Sequence, residues 1–162
     1  MKYYYGAKSL EHVKATALHV TRALDTSAWT LARKYYRILV GTSAAETHCG
    51  TYPDRHPSKL GVGICQCDEI GLIDVQQRLK PHHDAKIKAA FGIDVSKLKL
   101  EDLAYDIVVA FIVCRLYYKG KEQIIPETDM GQALYWKRHY NTEAGDGTAE
   151  QYLKRLKYTE EK

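Results

Sequence analysis

The chain is expected to fold as mainly α, a compact helical domain spanning residues 1–162 around one central buried helix. Three observations predict this. Apolar residues recur at near-helical spacing along most of the chain. The breaks between these runs carry Gly, Pro or helix-capping residues. One run, residues 98–118, is apolar on most of its faces, which marks a helix buried all round.

In order, Val13, Ala17, Val20 and Ala23 predict a first helix around residues 9–23. Asp25, Thr26 or Ser27 can cap a second. That helix carries Trp29, Ala32, Tyr36, Ile38 and Leu39, and it or a short successor delivers Glu46. Residues 50–66 hold Gly50, Pro53, Pro57, Gly61 and Gly63, so a loop with room for a small β element is expected there. Residues 70–79 read as a helix stopped by Pro81, and residues 84–91 as a short one ended by Gly92. The buried run at 98–118 follows and stops at Gly120. Residues 126–140 form the next helix, with Met130, Leu134 and Trp136. Gly145 and Gly147 break the chain, and Thr148 caps a last helix to about Leu156.

Composition narrows the functions. No run of eighteen apolar residues occurs, so no membrane span is expected. The stretch Met1-Lys2-Tyr3-Tyr4-Tyr5-Gly6 lacks an apolar signal core, so synthesis in a cytoplasm is expected, with delivery by another route if the substrate lies outside. The four cysteines do not suggest a disulfide framework in a chain this long. Cys114 sits in an apolar run and reads as a small core residue, and Cys65 and Cys67 lack a common zinc spacing. The formal charge is +4, from 24 Lys and Arg against 20 Asp and Glu. It mildly favours an anionic partner, but no basic block points to nucleic acid, and none is expected. No cofactor or metal is expected, and a monomer is.

Two short motifs carry the chemistry. Ala44-Ala45-Glu46-Thr47-His48-Cys49-Gly50 ends an apolar helix-like run with one acid at its tip. Gly61-Val62-Gly63-Ile64-Cys65-Gln66 is a Gly-rich turn ending in an amide. A carboxyl in an apolar setting tends to keep its proton, as a general acid at neutral pH must. Gly-rich backbone approaches a ligand closely, and an amide binds a polar, uncharged one. Together they suggest a sugar-cleaving site.

Glu46-Thr47, the Gly63-Ile64-Cys65-Gln66 stretch and the late Tyr140-Asn141 resemble the motifs of the lysozyme-like lytic transglycosylase superfamily. That family has a Glu-Ser pair, a Gly-Leu-Met-Gln block and a Tyr-Asn near the domain end. The order and rough spacing match over residues 40–155. Here the Ser is Thr47, Leu-Met is Ile64-Cys65, and Ala-Tyr-Asn-Ala-Gly reads His139-Tyr140-Asn141-Thr142-Glu143-Ala144-Gly145. The single-domain form is similar to phage endolysins and virion-associated muramidases. The resemblance implies a lysozyme-like fold and cleavage of the β-1,4 bond between N-acetylmuramic acid and N-acetylglucosamine in peptidoglycan. It implies action in periplasm or wall, after holin-type release or virion delivery. It makes Glu46 the general acid and base, with Thr47, Gly63, Gln66, Tyr140 and Asn141 around the substrate.

Plainer roles stand beside these. Thr47 can back-bond to its own helix, Gln66 can brace its loop, Tyr140 can pack, and Asn141 can cap a turn. A hydrolase needs a second carboxylate roughly 5–9.5 Å from the acid. Asp54, Asp68, Glu69 and Asp74 are candidates, with Asp54 the leading one and Asp68 equally a helix cap. A transglycosylase needs none, because the sugar's own 6-hydroxyl attacks. His82-His83-Asp84 looks like a ligand set but reads more simply as a solvated turn. Tyr35-Tyr36 and Tyr117-Tyr118 read as packing rather than cleft. Alternatives to the enzyme are a non-catalytic phage structural or wall-binding protein of the same fold, and a nucleic-acid-binding helical protein.

Overall fold

Helix α1 (Leu10–Leu24) starts where the Ser9 side chain accepts the amide of His12, and its inner face buries Val13, Ala17, Val20 and Leu24. The computed structural model describes residues 1–53, 60–121 and 123–160. Helix α2 (Trp29–Thr47) is one unbroken rod, so Glu46 lies in its last turn. Its N-cap is Ala28 and not one of the three predicted cap residues; Thr26 accepts the Ala28 amide just before the first turn. Helices α3 (Glu69–Arg78) and α4 (Pro81–Phe91) follow. Pro81 both separates them and opens α4, because a first-turn proline loses no hydrogen bond.

The expected helix over 98–118 is split. Residues 95–103 form two short 3-10 turns (Val95–Lys97 and Leu100–Leu103), and α5 runs only over Ile107–Lys119. The cause is Asp106. Its carboxylate accepts the amides of Val108 and Val109, at 2.9 and 3.2 Å, and starts a new helix inside an apolar stretch. Helix α6 (Asp129–Trp136) is likewise shorter than predicted and runs into a π-helical turn over Lys137–Asn141. Helix α7 (Ala149–Arg155) is capped by Thr148, with Gln151 returning the bond to the Thr148 amide.

Helix α5 is the predicted central buried helix. Val109 to Leu116 and Tyr118 are all buried, and α1, α2 and α3 pack against it. Truncating Phe111 there to Ala should cost about 3–5 kcal/mol. Helix α7 crosses α2 so closely that a Cβ on Gly41 would sit 1.9 Å from the Tyr152 hydroxyl. One polar network lies inside this core. Arg115 on α5 donates to both oxygens of Asp25 at the end of α1, at 2.8 and 2.7 Å, and Lys119 adds a third bond at 2.7 Å. Among the described residues the only β feature is an antiparallel bridge between Val62 and Cys67, and no helix is long and apolar enough to cross a membrane.

Candidate active site

Helix α2 ends abruptly. His48, Cys49 and Gly50 all take left-handed φ values, 51°, 55° and 84°. Two of these are not glycine, so the reversal is strained unless its surroundings hold it. The holding bonds are the Cys49 amide to the Ser43 carbonyl at 3.0 Å and the Gly50 amide to the Thr47 hydroxyl at 3.2 Å. The Tyr4 amide clasps the Gly50 carbonyl at 2.8 Å. Ala44 and Ala45 are fully buried, while Glu46 is half-buried on the open side.

Thr47 is engaged by its own helix and by the Gly-rich loop. Its hydroxyl is buried and lies 2.7 Å from the Ile64 carbonyl, so it fastens the Glu46 turn to the Gly-rich loop. Its back-bond to Ser43, at 3.1 Å, is the longer contact. Gly63 has φ 77°, and a Cβ there would lie 2.3 Å from the Leu103 carbonyl. The loop is therefore pressed on the turn preceding α5, and Gly63 acts through that close approach. Gln66, also left-handed at φ 50°, donates its amide to the Gly63 carbonyl at 2.8 Å.

The third motif arrives on α6 and its π-helical turn, a local widening that recurs at functional sites. Tyr140 donates its hydroxyl to the Cys65 carbonyl at 2.7 Å. Burial, then the nearby Cys114, Cys65 and Cys67 thiols and Glu46, pushes its phenol well above the ordinary range, so Tyr140 remains a donor at neutral pH. One turn earlier, Trp136 donates its indole N–H to Glu46 Oε1 at 3.1 Å. Asn141 accepts from Lys137, whose ammonium also binds the carbonyls of Thr142 and Gly145, each at 2.8 Å. Three stretches far apart in sequence are thus tied pairwise: Trp136 to Glu46, Thr47 to Ile64, Tyr140 to Cys65.

Two adjoining cavities open here. One, of about 350 Å³, contains Glu46 with Trp136, Asp146, Gln151 and Arg155 on its walls. The other, of about 590 Å³, runs past Tyr140, Tyr117, Asp68 and Ile70. Gln66 and Asn141 line both and form the ridge between them.

Among the second-carboxylate candidates, Asp54 lies outside the described residues. Asp68 is a helix cap, accepting the Gly71 amide at 2.7 Å, and Asp74 is paired with Arg78 at 2.6 Å. Glu69 is an exposed residue in the first turn of α3. Sequence reasoning missed Asp146, the described carboxylate that shares a cavity with Glu46. It also missed Trp136 as a partner of the acid, although its place four residues before Tyr140 puts both on one helix face. Asp146 carried no such signal, because it sits in what read only as a break.

The cysteines are free and buried. Burial pushes Cys49 up to about 11 and Cys67 up to about 12, so neither is a ready thiolate. Among the described residues no three His, Cys, Asp or Glu side chains gather as a metal would require. Comparisons of the chain with protein-family models, with curated proteins and with solved structures returned no match.

Proposed function

We propose that this protein cleaves the β-1,4 bond between N-acetylmuramic acid and N-acetylglucosamine in peptidoglycan, as a lytic transglycosylase of lysozyme-like fold. The observation that carries the reading is the convergence of the three motifs on one acid. Glu46 follows the buried stretch of α2 in its last turn, lines a groove, and has one oxygen bonded by a buried indole N–H. Gln66 and Asn141 stand on the ridge where a glycan strand would cross.

In this mechanism the Glu46 carboxyl gives its proton to the glycosidic oxygen as the bond to muramic acid C1 breaks. The resulting carboxylate then takes the proton of the muramic acid 6-hydroxyl, whose oxygen closes on C1. The product ends in a 1,6-anhydro ring, and Glu46 is protonated again. No water is consumed and no second carboxylate is needed. If water attacks instead, Asp54 or Asp146 is the base to test.

Glu46→Gln keeps the side chain's shape and removes the transferable proton. Wall lysis should fall about 10²–10⁴-fold while the melting temperature barely moves. Lysis at a near wild-type rate would remove Glu46 from the role.

A second reading, a non-catalytic wall-binding or phage structural protein of the same fold, has one observation in its favour. The Gln66 amide and the Tyr140 hydroxyl are both engaged with loop carbonyls rather than held out to the groove. That protein would sediment with insoluble walls and release no soluble fragments.

A further inference from the structure

A third cavity, of about 420 Å³, lies where the end of α3, the start of α4 and the end of α5 meet. Its described walls carry Arg78, Lys80, Lys119 and Lys121 together with His83, and no carboxylate. The whole chain is nearly balanced in charge, so this concentration is local. Arg78 and Lys119 are paired with Asp74 and Asp25, but neither acid is among the described residues lining the cavity. Helix α4 begins here with Lys80 as N-cap; the Lys80 carbonyl accepts the His83 and Asp84 amides, and Asp84, in the first turn, is paired with Lys88 and is not among the described residues lining the cavity. Val75, Leu79 and Leu116 supply apolar wall, which limits how well water can screen the cations.

We propose that this cavity is an anion site for phosphate groups, separate from the Glu46 groove and independent of whether that groove cleaves glycan. Three lysines and one arginine lining a single cavity from three segments supply the positive charge that a phosphate's oxygens need. The cavity volume is in the range of small-ligand sites, so a ligand with two or more phosphates, or a phosphodiester segment, fits it better than one small ion. Lys121 also borders the larger groove cavity, with its ammonium 3.9 Å from the centre of the Tyr117 ring. A phosphate-bearing polymer lying in the groove would therefore pass directly into the site. The charge there is already felt by His83: burial, then Lys119, His82, Lys80 and Lys86, pushes its imidazole down to about 4.

The test is calorimetric titration of the full chain at low ionic strength with two probes, inorganic pyrophosphate and soluble poly(glycerol phosphate). Saturable pyrophosphate binding is expected, weakened at least about tenfold by Lys80→Gln with Lys121→Gln, and weakened by added salt. Lys80→Gln alone, at an exposed position, gives the same direction of change should the double variant fold poorly. Binding of pyrophosphate alone identifies a small free phosphate compound as the ligand. Competition by the polymer identifies a phosphodiester chain. Absence of saturable binding by both probes, or binding that neither substitution alters, overturns the proposal.

Discussion

Asp25 and Glu46 are both acids at the C-terminal ends of amphipathic helices, and the protein treats them in opposite ways. A helix C-terminus carries partial negative charge, so a carboxylate is disfavoured there unless something offsets it. At Asp25 the offset is complete. The side chain is 5 % exposed, and Arg115 and Lys119 grip it with three hydrogen bonds. Burial alone would raise its pKa, but those bonds and charges carry it below the ordinary value. At Glu46 the donor on Oε1 is a neutral indole N–H, and the carboxyl opens on a groove. The same local chemistry thus yields a locked structural anion in one place and an accessible acid in the other. What differs is burial and access to the groove.

Asp25→Asn should break the comparison most strongly on the stability side. It leaves Arg115 buried with its counter-charge gone, and a severed buried pair costs about 3–5 kcal/mol. A urea titration should show the midpoint drop accordingly, with wall lysis per folded molecule unchanged. An unaltered midpoint would mean that Asp25 is not the structural acid described.

Trp136→Phe sharpens the Glu46 side. It keeps most of the buried ring and removes the donor to Oε1. A hydrogen bond to a carboxylate favours the charged form, so its loss should help Glu46 keep its proton. The high-pH limb of the rate profile should therefore move upward. A lowered melting temperature with an unmoved profile would make Trp136 a packing residue only.

The smallest expected effect is at His83. In the folded chain its imidazole protonates only near 4, against 6.5 when unperturbed. The unfolded chain therefore binds more protons between those values. The stability tied to His83 is present above about pH 6.5 and is lost as pH falls toward 4. Asp25 acts at lower pH, since its folded value lies below 3.8. Melting curves from pH 7 to 4 should slope downward, modestly because the ring is partly solvated, and His83→Gln should flatten that slope.

Much of this architecture was legible where one residue has one local role. The Thr148 cap, the Gly92 stop and the apolar run of α5 follow from local chemistry alone. The long helix expected over 98–118 failed at Asp106, because an aspartate in an apolar run does not announce whether it caps a new helix or merely faces solvent. At the site, Glu46, Gln66 and Asn141 did meet around one groove. The roles of Thr47 and Tyr140 were not legible, because each spends its hydroxyl on a carbonyl of the Gly-rich loop, a partner set by tertiary packing. Asp146 was missed for the same reason, since only the fold brings its turn beside α2.

The proposed role of Glu46 is tested by mass spectrometry of purified peptidoglycan digested by the wild-type chain and by Glu46→Gln. Soluble fragments ending in 1,6-anhydro-muramic acid are expected from the wild type and almost none from the variant. Reducing muramic acid ends would make water the nucleophile and call for a second working carboxylate. Fragments released equally by both proteins, or by neither, would contradict the assignment of Glu46 as the acid that cuts the glycan.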